Sequence, residues 1–193
     1  MKLRLFTLFV LLISNVLAAS PLTVGYVYGS DHYYGFEAPE GWRMDNRLLA
    51  RYGVGMVFLP VSEGDLSGVL LYTRAVTRAA GTSPEEAIKN QVSGVLDMYA
   101  AAGAQIRAER LRTVTARNGV HGELWRFYGY TNGGEERAVY FPAECTVNFF
   151  VAQIPDPKWI VDTETALIKL IASYHERASC HPCQVEGTCA APK

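Results

Sequence analysis

The stretch "SPEEAIKNQVSGVLDMYAAAG", Ser83 to Gly103, decides the fold class. Ser83-Pro84-Glu85-Glu86 is a capping box with proline at the first helical position. The Ser83 hydroxyl can accept a free backbone N–H, and Glu86 can reach back to the cap. Ile88, Val92, Val95, Leu96 and Tyr99 then recur on one face at helical spacing. Gly103 supplies the stop. Gly94, inside this helix, costs it about 1 kcal/mol against alanine, which points to close packing of helix on sheet at that position.

Strand signals lie on both sides of this helix. Before it come Leu22 to Tyr28, Tyr34 to Ala38, a turn at Pro39-Glu40-Gly41 with a new stretch at Trp42, then Val54 to Leu59 and Val69 to Val76. After it, Ile106 to Arg117 runs into Asn118-Gly119, a pair that tolerates positive φ and marks a hairpin. Val120 to Tyr130 follows, then the turn Asn132-Gly133-Gly134, then Arg137 to Phe141 and Cys145 to Ala152. In the last of these, Cys145, Val147, Phe149 and Val151 share one face, and Thr146, Asn148, Phe150 and Ala152 the other. Both faces suit a covered strand. Asp156-Pro157 breaks the chain, and Ile160 to His175 reads as a second helix. Successive strands bracketing one helix, with another at the end, give an α+β fold with helices packed on an antiparallel sheet. The expected core is Trp42, Phe58, Leu71, Val95, Leu96, Trp125, Phe149, Val151, Leu167 and Ile171. Phe149→Ala is expected to cost about 3–5 kcal/mol.

"YGFEAPEGW", Tyr34 to Trp42, resembles the opening strand and turn of the PsbP-like family. That family includes the extrinsic photosystem II subunit PsbP, the nuclear Ran-binding protein Mog and many bacterial exported proteins. The order that follows is similar too: two strands, a helix opening "SPEEAI", a hairpin series, "VNFFVAQ", and a closing helix ending in "ASYH". The resemblance spans roughly residues 34 to 175. It implies an α/β/α sandwich and a binding or assembly role rather than catalysis. It offers no catalytic residue, metal ligand or cofactor to carry over.

The ends of the chain read differently. Lys2 and Arg4 precede a largely apolar run from Leu5 to Leu17, closed by Ala18, Ala19 and Ser20. A basic start, a short apolar run and small residues fit residues 1–19 to a signal peptide cleaved near Ala18–Ala19. The run is shorter than the ~20 residues that span a bilayer. The expectation is a secreted or periplasmic protein with a domain over 20–175, a cysteine-rich tail over 176–193 and no integral membrane segment after cleavage. Loss of Lys2 and Arg4 leaves 16 basic against 19 acidic residues, a formal charge of −3. The basic residues are scattered, so nucleic acid is not an expected partner. A protein partner in the cell envelope is.

Signatures of chemistry are sparse. The sequence holds no Gly-x-Ser-x-Gly, no His-Glu-x-x-His and no phosphate loop. "YVYGSDHYYGF", Tyr26 to Phe36, offers Tyr28, His32 and Tyr33 as a candidate ligand surface. The same residues also suit two strands whose tyrosines cap a core edge, ring packed and hydroxyl wet.

Three of four cysteines fall in "SCHPCQVEGTC", Ser179 to Cys189. In an exported chain, Cys145, Cys180, Cys183 and Cys189 are expected to form structural disulfides. The alternative is thiol–disulfide or metal chemistry through Cys180-His181-Pro182-Cys183. A reactive thiolate favours a helix N-terminus, whereas this motif follows a helix, near its negative end. Adjacent Cys180 and His181 are awkward ligands for one tetrahedral ion, and Gln184 stands where a c-type haem motif needs histidine. Geometry suggests the pairing. A strand of about eight residues and a returning helix of about sixteen both span roughly 25 Å. The chain thus comes back to the level of Cys145, giving Cys145–Cys180 with Cys183–Cys189, or Cys145–Cys183 with Cys180–Cys189.

Overall fold

The computed structural model describes residues 23–61 and 68–176. The expected signal peptide and the three tail cysteines lie outside the described residues. The strands are β1 (Val24–Tyr28), β2 (Tyr33–Glu37), β3 (Trp42–Asp45), β4 (Met56–Pro60), β5 (Leu70–Thr77), β6 (Arg107–Thr115), β7 (His121–Tyr128), β8 (Glu135–Pro142), β9 (Thr146–Ile154) and β10 (His175–Glu176). The helices are α1 (Pro84–Ala101) and α2 (Ile160–Ala172).

A seven-stranded sheet in the order β3-β4-β5-β9-β8-β7-β6 forms the centre. Every neighbouring pair is antiparallel. The fold is α+β, as the strand and helix order implies. Strand β9 lies in the middle and is buried along both faces, apart from Phe149 and Gln153. The edge strand β6 is mostly exposed, carries Arg107, Glu109, Arg110 and Arg112, and has a register shift between Arg110 and Arg112. Charge and irregularity of this kind discourage pairing with another chain.

The two faces of this sheet are covered differently. Helix α1 lays Ala87, Ile88 and Val92 on Phe127, Ala138, Tyr140, Val147 and Val151. The other face carries α2 and, beside it, a second sheet of three strands in the order β1-β2-β10. The expected single sheet is therefore corrected: the N-terminal strands leave it and form a layer of their own. Closeness of packing explains why. A Cβ on Gly25 would overlap the Phe36 ring, and one on Gly55 would meet Val27 at 2.8 Å. Small residues thus let the β1–β2 hairpin lie against its neighbours, with Tyr34 and Phe36 fully buried beneath it.

The second helix ends at Ala172, short of the expected His175, because His175 and Glu176 turn out to pair with Gly35 and Tyr34 of β2. Phe58, Leu71, Val151, Leu167 and Ile171 are buried as expected. Trp42, Val95, Leu96, Trp125 and Phe149 are only partly buried against the clusters. The deepest aromatic of β9 is its neighbour Phe150, on the α2 face. Helix α1 buries just its N-terminal half, so the α1 face is the thinner layer.

The Ser83 cap forms as expected, its hydroxyl accepting the Glu86 N–H at 3.2 Å. Gly94 does not approach the sheet. It faces open space, with nothing within 4 Å of a modest side chain's first carbon. Gly94→Ala is therefore expected to stabilise the protein by about 0.5–1 kcal/mol, seen as a higher midpoint in urea. An unchanged or lower midpoint would contradict the open environment.

Candidate functional site

Alternation along β1 sends Gly25 and Val27 inward and Val24, Tyr26 and Tyr28 outward. Tyr26 is 47% and Tyr28 78% exposed. Tyr28 stands directly opposite Tyr33 in the ladder, and the Tyr26 and Tyr33 rings stack at 5.7 Å with an 11° interplanar angle. His175 joins from β10, edge-on to Tyr26 at 6.0 Å, in the space that Gly35 leaves by lacking a side chain. The outer face of the three-stranded sheet is thus a shelf of aromatic rings.

His32 does not join this shelf. It sits in the hairpin turn, 2.8 Å from the Asp31 carboxylate and 6.1 Å from the inward Tyr34 ring. The other Asp31 oxygen accepts the Thr77 hydroxyl, which pins the turn to the end of β5. Burial alone would raise the Asp31 pKa, but the bonds from Thr77 and His32 outweigh it and hold the carboxyl below its usual range. Tyr26 opens the aromatic stretch read from the sequence, and His175 is the member that the sequence did not single out.

Near the same end, the Tyr174 hydroxyl accepts from Asn148 at 2.9 Å and can donate to Glu176 at 3.3 Å. The Glu176 carboxylate also takes the Glu144 backbone N–H. The last described residue therefore lies beside the residue that precedes Cys145.

A second polar cluster occupies the α1 face. Glu136 is buried on β8 and accepts at one oxygen from Tyr99 of α1 at 3.1 Å and from Gln153 of β9 at 3.3 Å. The Tyr130 ring meets Tyr99 edge-on at 5.2 Å, and its buried hydroxyl lies close to Tyr99 and Glu136 without well-formed hydrogen-bond geometry to either. Burial raises the pKa of Glu136 above its ordinary 4.5 despite these donors. A carboxyl raised on folding contributes stability below its unfolded pKa and loses it as pH rises through the folded value. Stability is therefore expected to fall from about pH 4.5 upward, and Glu136→Gln to remove part of that fall. Glu176, raised by burial as well, supplies more of it. An E136Q curve parallel to wild type at every pH would refute the assignment.

Among the described residues, no helix is long and apolar enough to cross a membrane, and no group of three or more His, Cys, Asp or Glu could hold a metal ion.

No family model matches the chain, and no curated protein matches it by sequence. Among solved structures, the solution structure of cyanobacterial PsbP (CyanoP) from Synechocystis sp. PCC 6803 matches with a TM-score of 0.53. The match covers 83% of this chain and 96% of that one, at 18% identity. The fold is PsbP-like. At that identity the likeness is one of backbone architecture. Within this PsbP-like fold, the aromatic shelf and the Glu136 cluster lie on opposite sides of the seven-stranded sheet.

Proposed function

We propose that this chain is an exported, periplasmic or secreted, non-catalytic binding or assembly protein, and that it meets a protein partner of the cell envelope through the outer face of the three-stranded sheet. The observation that carries this reading is the row Tyr26, Tyr28, Tyr33 and His175, with Tyr28 78% exposed. Tyrosine gives large, stiff contact area with a hydroxyl for orientation, and it is enriched at protein interfaces. The PsbP-like backbone and the signal-like residues 1–19 agree with it. A photo-crosslinking residue at position 28, in cells, should yield a discrete adduct that Tyr26→Ser abolishes. One at the exposed Val161 on α2 should not. Equal adducts at both positions, or none at position 28, would overturn the reading.

We further propose that the tail is stapled rather than reactive, through Cys145–Cys180 with Cys183–Cys189. The contact between Glu176 and Glu144 favours it, since Cys180 follows Glu176 by four residues and Cys145 follows Glu144 directly. Such a bond should contribute about 2–4 kcal/mol. Peptide mapping without reductant should recover the Cys145–Cys180 pair. An isolated Cys180–Cys183 bond would instead favour thiol–disulfide chemistry.

A further inference from the structure

Glu135 and Glu136 are neighbours on β8 whose side chains leave opposite faces of the sheet, and their surroundings differ sharply. Glu135 meets two guanidinium groups, Arg126 and Arg137, each at 2.6 Å. Glu136, only 9% exposed, belongs to none of the ion pairs among the described residues. Residues 62–67, which lead into Gly68 at the rim of the same site, include no basic residue. A carboxylate held away from water without a cation is costly unless something compensates it.

The cleft in front of Glu136 is about 210 Å³ in volume and is walled by Gly68, Tyr99, Tyr130, Gly134, Ile154 and Pro155. The two well-formed hydrogen bonds to Glu136 both end on Oε1. The Tyr130 hydroxyl is buried close to both Glu136 and Tyr99, in well-formed hydrogen-bond geometry with neither. Two tyrosine rings set edge-to-face, Tyr99 and Tyr130, stand beside these oxygens. Asn132 reaches the rim, its side-chain oxygen accepting the Gly134 N–H at 3.1 Å. The groups that bear on Glu136 from the packed elements are Tyr72 of β5, Tyr99 of α1, Tyr130 of the β7–β8 turn, Tyr140 of β8 and Gln153 of β9. None of these is a cation.

We propose that this cleft is a binding site for a small organic amine in its protonated form. An ammonium group supplies N–H donors and no acceptor, which complements a buried carboxylate that lacks an ion-pair partner among the described residues and a hydroxyl left without well-formed hydrogen-bond geometry. A divalent metal fits less well, because hard cations draw on several oxygen ligands and one carboxylate supplies the charge here. An anion would be repelled. The ligand is compact: a cavity of about 150 Å³ holds benzene, so this cleft takes a ring or short chain of similar bulk plus the charged group.

Benzylamine and butylamine, with benzyl alcohol and butanol as neutral counterparts of the same shape, separate charge recognition from filling of space. Each is titrated into the full chain purified after export, and amide shifts are followed by NMR at Gly68 and Gly134. At least one amine is expected to give saturable shifts, and its alcohol to bind at least about tenfold more weakly. Glu136→Gln should bring the amine's affinity down to that of the alcohol. Tyr130→Phe, which keeps the ring, should weaken it by a smaller factor. No saturation by about 10 mM with either amine, equal affinity for amine and alcohol, or an E136Q affinity equal to wild type would each overturn the proposal. The amine–alcohol comparison uses the wild-type chain, so it stands even if a variant folds poorly.

Discussion

Replacing Phe150 with alanine is expected to cost about 3–5 kcal/mol, read from urea unfolding. Phe150 is fully buried in the middle strand of the sheet, where β5 and β8 flank it. Its ring makes edge contacts with Tyr34 at 6.0 Å, Phe36 at 5.9 Å and Tyr174 at 5.6 Å. Those three residues come from β2 and from the turn after α2, so the ring joins the second sheet, the helix layer and the central sheet. Truncation would leave a cavity that strands on either side cannot close by moving. Phe149, one residue earlier and only partly buried on the opposite face, should cost about 1–2 kcal/mol on the same truncation. If Phe149→Ala proved the more damaging of the two, the assignment of the main core to the α2 face would fail.

Arg137→Ala is expected to cost about 3 kcal/mol. The Arg137 side chain is 8% exposed and lies between Glu135 at 2.6 Å and Glu164 of α2 at 3.2 Å. Arg126 and Arg112 complete the chain of charges at its two ends. Removing the central guanidinium leaves Glu135, itself almost wholly buried, with Arg126 as its one remaining cation. The penalty comes from that stranded carboxylate more than from the lost attraction. Glu135→Met together with Arg137→Met should accordingly cost less than Arg137→Ala alone, because the buried charges leave as a pair. A single-variant cost below about 1 kcal/mol would place the network in the weak class of surface ion pairs.

Much of the backbone was legible because its punctuation is local. Ser83 caps α1, Asn118-Gly119 turns β6 into β7, and Asn132-Gly133-Gly134 turns β7 into β8. Each signal acts within a few residues, and so it survives any tertiary arrangement. The orientation of β1 was harder to read. Its large residues, Tyr26 and Tyr28, alternate with Gly25 and Val27, and hydrophobic size alone would turn the tyrosines inward. The structure turns the small residues inward because the hairpin sits so near Phe36 and Met44 that no larger side chain fits. Gly94, by contrast, was legible: at about 100° per residue it lies roughly 200° round the helix from Val92, opposite the apolar stripe, and it faces open space. The Glu136 cluster could not be found by spacing. Tyr99 lies 37 residues before Glu136 and Gln153 17 after it, and neither separation carries a period.

The pairing of β10 with β2 also sets an order in time. Ser173 accepts the Glu37 N–H from 136 positions away, and Tyr34 and Phe36 complete their burial against Tyr174 and Phe150. A hairpin made among the first strands must therefore wait for the last described helix before its inner face is covered. Closing a loop of that length before any contact rewards it makes folding slow. A chain still emerging from the ribosome would hold β1 and β2 as an exposed aromatic hairpin. Completion of the core then waits until α2 and β10 have been made, as one late event that locks the first and last described strands together.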